Sequence, residues 1–296
     1  MTPDSVATDR HGMISGTTRV AGVIGSPLRH SLSPAIVNAA FEALGLDWSY
    51  VAFEVAPGDV ARALDAMRVL RLGGLSVTMP HKEAVAQLVD RCSPDATALD
   101  AVNCIVPDGD DLVGENTDGA GFVDAVRAEL GFEFAGCRAV MLGAGGAARA
   151  VVLALAREGV ADIAIVNRTP ANAQRALALA GERGRVVDPA VGPAAGLADA
   201  IADATLVVNA TPVGMLDDRL PLDAALLGPS HTVVDLVYHP SVTPLLGAAA
   251  ERGSVVANGL GMLVRQAAHA VRLWTGCDAP VAAMTEAAAS VLAQRG

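Results

Sequence analysis

The sequence is poor in several kinds of residue, and each shortage argues against a class of protein. Aromatic residues make up 3% of its 296 residues, and its six histidines form no HxxxH or HExxH pattern. The four cysteines, at positions 92, 104, 137 and 277, include no CxxC pair. These features argue against a disulfide scaffold and against a bound metal, and they favour a reducing, cytoplasmic setting.

Long apolar runs and excess positive charge are also missing. No run reaches the length of a membrane span, and the net charge of -11 disfavours nucleic acid and anionic membranes as partners. Residues 1–18 are polar and lack the apolar segment of a secretion signal, so we expect a flexible tail. A small molecule is therefore the expected partner, and the oligomeric state stays open, with a homodimer as one alternative.

What is abundant is apolar residues, which make up 52% of the chain and are mainly Ala, Val and Leu. This composition is typical of Val-rich parallel strands covered by Ala-rich helices, and the length suffices for two domains. We therefore predict a two-domain α/β fold.

A glycine-rich turn follows the apolar run that ends at Leu142. The turn contains Gly143, Ala144, Gly145, Gly146 and Ala147, and a helix-compatible stretch follows at once. A strand, a glycine turn and a helix in this order form the arrangement that binds a pyrophosphate at a helix N-terminus. The alternative is an ordinary turn between a strand and a helix.

A second apolar run, residues 163–166, ends at Asn167, Arg168 and Thr169. An NAD-binding unit carries an acidic residue here for the ribose hydroxyl. A neutral Asn beside Arg168 instead suits the 2′-phosphate of NADP, so we predict NADP(H) as the cofactor. The alternative is that Arg168 is an ordinary surface residue.

Loops of the N-terminal half carry further polar candidates, each with a structural alternative. Ser31 and Ser33 precede a predicted helix, where they can bind a carboxylate or Ser33 can simply cap the helix. Lys82 follows a short strand and is either a proton-exchanging group or a solvated surface residue. Asp118 precedes another helix and can cap it or pair with Lys82 across a cleft.

Two candidates lie in the C-terminal half. Tyr238 follows a predicted strand, so it lies close to a ligand or packs in the interior. Gln266 lies on a mostly apolar helix face and needs a partner, which is either a buried backbone group or a ligand hydroxyl.

Taken together, these motifs resemble the shikimate dehydrogenase family over residues 20–276. The matching segments, in family order, are GSPLRHSLSP, SVTMPHK, AVN, GENTDGAGF, GAGGAAR, NRT, NATPVGM, DLVYHPSVTPLL and GLGMLVRQ. The resemblance implies an α/β substrate domain of residues 19–118 plus 258–296 and a Rossmann-type NADP-binding domain of residues 119–257. It also implies NADPH-dependent reversible reduction of 3-dehydroshikimate to shikimate, a step towards chorismate and the aromatic amino acids.

The resemblance also implies roles for individual residues. Lys82 matches the catalytic lysine and Asp118 matches its carboxylate partner. The implied substrate contacts are Ser31, Ser33, Thr78, Lys82, Asn103, Asp118, Tyr238 and Gln266. The implied cofactor contacts are Gly143, Ala144, Gly145, Gly146, Ala147, Asn167, Arg168, Thr169, Leu236 and Gly259.

Some positions depart from the common family pattern and keep other functions open. Ser76 stands where the family often has Asn, and Asn172 occupies a place that is often basic. The substrate can therefore be quinate or an aminated shikimate analogue, and the preference for NADP can be weaker than usual. A third alternative is a dinucleotide-sensing regulator without turnover, which would most naturally have lost Lys82 or Asp118; both are present.

Overall fold

The computed structural model describes residues 14–187 and 195–295, and most of the expected tail, residues 1–13, lies outside this range. The hydroxyls of Thr17 and Thr18 donate hydrogen bonds to the Asp47 carboxylate. These contacts anchor the chain just before its first strand, so the last residues of the expected flexible tail are tied to the fold.

The first sheet is mixed and has the strand order β2-β1-β3-β5-β6-β4. Its strands are β1 (Arg19–Gly25), β2 (Trp48–Glu54), β3 (Gly74–Val77), β4 (Arg91–Cys92), β5 (Cys104–Asp108) and β6 (Asp111–Glu115). The pairs β1–β2, β1–β3 and β4–β6 are parallel, whereas β3–β5 and β5–β6 are antiparallel.

Helices cover both faces of this sheet, and together they form what we call the first lobe. The helices are α1 (Ser33–Ala43), α2 (Val60–Val69), α3 (Lys82–Ala86), α4 (Pro94–Leu99), α10 (Leu260–Thr275) and α11 (Val281–Arg295). In α1 the buried residues Ile36, Val37, Ala40 and Phe41 repeat at helical spacing and form one apolar stripe. That stripe shares a core with buried side chains of α10 and α11, so the end of the chain returns to the first lobe.

The second sheet is entirely parallel and has the order β12-β11-β10-β7-β8-β9. Its strands are β7 (Arg138–Leu142), β8 (Asp162–Val166), β9 (Gly184–Val187), β10 (Leu206–Asn209), β11 (Thr232–Asp235) and β12 (Val255–Asn258). The order reverses between β7 and β10, as in a doubly wound dinucleotide-binding sheet. This arrangement confirms the predicted Rossmann-type half of the fold.

The second lobe consists of this sheet and the helices packed on it. They are α5 (Asp118–Leu130), α6 (Gly146–Arg157), α7 (Pro170–Ala180), α8 (Ala195–Ala202) and α9 (Pro244–Glu251), with 3₁₀ turns at Gly181–Arg183 and Ala224–Leu226. Among the described residues, no helix combines the length and the apolar character that crossing a bilayer requires.

Strand register brings the functional loops of the second lobe to one edge. Leu142, the last residue of β7, lies beside Val166 at the end of β8 and beside Asn209 at the end of β10. Asn209 in turn lies beside Asp235 at the end of β11. The loops after these four strands therefore open on the same crevice, where doubly wound folds bind their ligands.

Candidate active site

Lys82 and Asp118 form an ion pair at the junction of the lobes. Lys82 is the first residue of α3 and Asp118 the first residue of α5, and Lys82 Nζ lies 2.5 Å from Asp118 Oδ2. The exposed fractions of the two side chains are 23% and 9%. Lys82 is thus not a freely solvated surface residue. Asp118 does not cap its helix either, because Thr117 is the N-cap.

Asn103 holds this carboxylate from its other side. Its Nδ2 donates to Asp118 Oδ1 over 2.7 Å, and its Oδ1 accepts a 2.8 Å hydrogen bond from the backbone amide of Thr117. Asn103 is 3% exposed, so competition from water is small. Both oxygens of Asp118 therefore have fixed partners, which orients the carboxylate towards Lys82.

Thr117 links the pair to α10, a contact that the sequence analysis missed. Its hydroxyl donates to the carbonyl of Gln266 over 3.0 Å and accepts from Asn103 Nδ2 over 3.0 Å. A hydroxyl can make both bonds because it is a donor and an acceptor. The signal available in the sequence was its place between Asn116 and Asp118 in the NTD segment.

The composition contains a second overlooked signal. Lys82 is the single lysine of the sequence, which has twenty arginines. A lysine ammonium can lose its proton in a suitable environment, whereas an arginine guanidinium stays charged in proteins. The one position where this sequence uses lysine is thus the position that pairs with a nearly buried carboxylate.

The loops after β1 and β3 lie side by side next to this pair. Ser26 donates a backbone hydrogen bond to Met79, and Thr78 donates one to Ile24. This places Thr78 close to the loop that carries Ser31 and Ser33. Of the two alternatives for Ser33, the structure excludes capping: the buried residue Leu32 is the N-cap of α1, so Ser33 already lies in the first turn.

Ser31 instead shapes the start of the helix. Its Oγ accepts a 3.2 Å hydrogen bond from the backbone amide of Ser33, and both serines are half-buried. The two hydroxyls lie at an uncapped helix N-terminus, an arrangement that suits an anion such as a carboxylate.

Tyr238 and Gln266 also lie at the junction of the lobes. Tyr238 follows β11 of the second lobe, yet its half-buried ring packs against the core of the first lobe, and burial raises its pKa. Gln266 Nε2 donates to the carbonyl of Leu263 over 2.8 Å. Within the described residues, the structure records no hydrogen bond from either side chain to Lys82 or Asp118.

The glycine turn after β7 forms an open cradle. Gly143 has a φ of +104°, a conformation that favours glycine, and its amide bonds to the carbonyl of Val166 over 2.8 Å. Gly145 and Gly146 are exposed, and a Cβ on either would meet no atom within 4 Å. No side chain caps α6, which begins at Gly146. Its first amide groups are therefore available to a pyrophosphate, as this turn predicts.

The remaining residues of the turn and the next loop complete this edge. Within the glycine turn, Ala144 is buried and Ala147 is half-buried. Asn167 Nδ2 donates to the carbonyl of Thr169 over 2.9 Å and thereby closes the loop after β8. Arg168 between them is exposed. The residues present fit a phosphorylated dinucleotide, with one arginine placed beside the cradle.

Gly259 and Leu236 meet where α10 leaves the second lobe. A Cβ on Gly259 would lie 2.0 Å from the Leu236 carbonyl oxygen, so only glycine fits there. The close approach joins the loop after β11 to the start of the helix that carries Gln266.

A buried carboxylate at the end of β11 joins the loop after that strand to the end of β10. Asp235 is fully buried and accepts hydrogen bonds from Asn209, from Thr243 and from the Val237 amide. Burial raises the pKa of Asp235 above its ordinary value, although these three hydrogen bonds oppose the shift.

Three protein-family models match parts of the chain. "Shikimate dehydrogenase substrate binding domain" matches residues 23–105, "Shikimate / quinate 5-dehydrogenase" matches 125–214 and "Shikimate 5'-dehydrogenase C-terminal domain" matches 259–289. A Geobacter metallireducens protein named shikimate dehydrogenase (NADP(+)) is 46% identical over 270 residues, which cover 90% of this chain and 94% of that protein.

Solved structures of shikimate dehydrogenases are also similar to this chain. Shikimate 5-dehydrogenase from Listeria monocytogenes, in complex with shikimate and NAD, has a TM-score of 0.87 and 37% identity, covering 92% of this chain and 97% of its own. The Thermus thermophilus enzyme, in complex with NADP(H) and shikimate, has a TM-score of 0.83 and 40% identity, covering 93% of this chain and 100% of its own. Such identity along nearly the whole length, with the ion pair and the cradle described above, shows that the chain belongs to the shikimate dehydrogenase family.

Proposed function

We propose that the protein is an NADP-dependent shikimate dehydrogenase that reversibly reduces 3-dehydroshikimate to shikimate. The observation that carries the proposal is the Lys82–Asp118 pair, which Asn103 holds at the junction between the first lobe and the cofactor edge. An ammonium held at such a place can exchange a proton with the oxygen of an alcohol or a ketone.

The proton step rests on the residues of the pair. Bound NADP(H) supplies or accepts the hydride at the carbon that bears this oxygen. In reduction Lys82 donates a proton to the carbonyl oxygen, and in oxidation it takes the proton of the hydroxyl. Asp118 stabilises the ammonium and fixes its position. Proton transfer by a side chain positioned in this way contributes about 10²- to 10⁴-fold.

We assign the substrate contacts to the first lobe and to its junction with the second lobe. Ser31 and Ser33 bind the carboxylate, supported by their place at an uncapped helix N-terminus. The ring hydroxyls are bound by Thr78, Asn103, Gln266 and Tyr238, together with the ion pair. Substrate would thus meet groups from the loops after β1 and β3, from the residue before β5, from α10 and from the loop after β11.

We assign the cofactor to the edge of the second sheet. Gly143, Ala144, Gly145, Gly146 and Ala147 would hold the pyrophosphate, and Asn167, Arg168 and Thr169 the 2′-phosphate. Leu236 and Gly259 would lie beside the nicotinamide. We place the domain boundaries accordingly, with residues 19–118 plus 258–296 binding substrate and residues 119–257 binding NADP.

The proposal is tested by assaying the purified protein for NADP reduction with shikimate, quinate and an aminated shikimate analogue. We expect the highest kcat/KM with shikimate and NADP. Quinate is the second candidate, because Ser76 replaces a longer amide side chain and one matching family model covers both acids. A higher kcat/KM for quinate would transfer the assignment to that acid, and NADP binding without any turnover would indicate a sensing protein.

We place this activity in the cytoplasm, where the protein acts on small molecules as a monomer or a homodimer. The thiols support this location, because all four cysteines are free and free cysteines are typical of reducing compartments. Fractionation of the source cells, followed by activity in each fraction, tests the location.

A further inference from the structure

Glu83 connects the proton-transfer helix to two arginines of the other lobe. It follows Lys82 directly on α3. Its Oε1 accepts hydrogen bonds from Arg149 over 2.7 Å and from Arg175 over 3.0 Å. Arg149 lies on α6 and Arg175 on α7, so a single carboxylate oxygen of the first lobe contacts both helices that begin at the cofactor edge.

Arg149 is held firmly at this place. It is 6% exposed, it donates a second hydrogen bond to the Leu99 carbonyl over 3.0 Å, and its amide bonds to Gly145 in the glycine turn. A buried guanidinium is costly unless it is paired, so Glu83 has a strong tendency to stay beside it. The distance between α3 and the cradle is therefore set by this contact.

The carboxylate that makes these contacts is charged at neutral pH. Partial burial pushes the pKa of Glu83 up, but the hydrogen bonds and charges of Arg175 and Arg149 outweigh burial and hold it below its ordinary value. Glu83 is about half exposed, so high salt weakens the pairing without abolishing it.

Helix α3 is only five residues long, and Glu83 directly follows Lys82 in it. A displacement of Glu83 therefore moves Lys82 relative to the helix that begins at the cradle. We propose that Glu83 is a positioning residue, which clamps α3 to Arg149 and Arg175 and thereby sets the place of the Lys82 ammonium relative to the bound nicotinamide. This inference rests on the proposed dehydrogenase function.

The structure offers a matched control for the clamp. Arg157 of α6 forms an ion pair with Asp95 of α4, so this pair also spans the two lobes. Both of its side chains are about half exposed, and neither residue adjoins Lys82. Loss of the Arg157 pair thus reports what a lobe-spanning ion pair contributes without positioning the lysine.

The test compares Glu83→Ala, Glu83→Gln, Arg175→Gln and Arg157→Gln with the wild-type protein. With both substrates saturating, we expect Glu83→Ala to lower kcat by about tenfold to a hundredfold, since misplacement by roughly 1 Å has effects of this size. KM for shikimate should change little, because its proposed contacts lie elsewhere. Glu83→Gln keeps an acceptor oxygen and should restore part of kcat, and Arg157→Gln should match the wild type.

A kinetic isotope effect separates positioning from general loosening. With shikimate deuterated at the carbon that loses hydride, the isotope effect on kcat should rise in Glu83→Ala because hydride transfer becomes the slow step. If Glu83→Ala does not fold, Arg175→Gln replaces it, because Arg175 is about half exposed and its substitution disturbs the fold less. In Arg175→Gln, as in Glu83→Ala, kcat should fall and the isotope effect on kcat should rise.

The outcomes are distinct. The positioning role is overturned if Glu83→Ala has the kcat of the wild type. If Glu83→Ala does not fold, the same result in Arg175→Gln overturns it. An equal loss of kcat in Arg157→Gln also overturns it. These results leave the proposed function intact when the wild-type protein oxidises shikimate. A wild-type protein that turns over no acid of the panel overturns both the proposed function and the positioning role.

Discussion

Gly121 of α5 and Gln266 of α10 are in direct backbone contact. A Cβ on Gly121 would lie 2.6 Å from the Gln266 amide nitrogen and 2.8 Å from its Cβ. Three residues earlier, Asp118 begins the same helix, and Thr117 bonds to the Gln266 carbonyl. The absence of a side chain at Gly121 thus lets Gln266 and the carboxylate of the ion pair lie at the same junction.

Gly121→Ala should separate the two helices. The added methyl group meets backbone rather than a flexible side chain, and overpacking of this kind typically costs about 1–3 kcal/mol. We expect a lower free energy of unfolding and a higher KM for shikimate, measured by urea denaturation and steady-state kinetics. Gly228→Ala is the control, because a Cβ there meets nothing within 4 Å. Equal stability of the two variants would contradict the close contact.

Lys82→Ala should lower kcat by about a hundredfold or more while NADPH binding survives, since positioned proton transfer contributes about 10²- to 10⁴-fold. Lys82→Arg should be nearly as inactive, because a guanidinium keeps the charge without giving up a proton. Turnover and NADPH fluorescence titration measure the two effects. Unchanged kcat in Lys82→Ala would remove this residue from the mechanism.

The single lysine allows a chemical version of the same test. An amine-acylating reagent has only Lys82 and the N-terminal amine as targets. Acylation of Lys82, followed by mass spectrometry, should parallel the loss of activity, and shikimate should slow both. The Lys82→Ala variant is the control, since it reports acylation of the N-terminal amine alone. Full activity after complete acylation would contradict a proton-transfer role.

Local signals predicted one side of the site well. The run to Leu142, the glycine turn and the helix after it follow rules that act over a few residues, and the structure has them in that order. Helix α4 did not emerge from the sequence, because its six residues are too few to show a period. Residue type made Ser33 one candidate for the cap of α1, whereas the N-cap in the structure is Leu32, a buried apolar residue that no capping preference indicates.

Contacts between the lobes were harder to predict. The sequence left two alternatives for Asp118, capping its helix or pairing with Lys82 across a cleft, and no local signal decides between them. Nothing local indicates that Arg149, inside a helix, is buried and bonded to Glu83, which lies 66 positions away. Such pairs arise where elements distant in the sequence pack together, so hydrophobic periodicity carries no information about them.

Cofactor preference should depend on Arg168. Arg168→Gln removes the cation beside the cradle, and a charged hydrogen bond is worth about 1.5–3 kcal/mol, or about 10- to 100-fold in affinity. We expect KM for NADP to rise within this range, with little change for NAD, so the ratio of kcat/KM values falls. Arg185→Gln is the control, because the Arg185 guanidinium pairs with Asp162 at the start of β8, whereas Arg168 follows the end of that strand. Equal changes for NADP and NAD would contradict a contact with the 2′-phosphate.

Asp235 should make stability fall as pH rises. Its pKa in the folded protein is raised above the ordinary 3.8, chiefly by burial. Between 3.8 and the raised value the folded protein holds the proton more often than the unfolded chain does. The stabilisation is therefore complete below this window and is lost as pH rises through it. Asp235→Asn, which cannot titrate, should gain stability relative to the wild type across the window.

Urea denaturation of both proteins from about pH 2 to pH 8 measures this difference and also covers the window of the control described next. Asp217→Asn is the control of opposite sign. The hydrogen bond from Arg219 is the main cause of the lowered pKa of Asp217, so its contribution to stability is present above 3.8 and is lost as pH falls through the lowered value. Free energies of unfolding that change in parallel for wild type and Asp235→Asn would show that the buried carboxyl does not titrate in this window. The loops after β10 and β11 would then be held by a permanently charged Asp235.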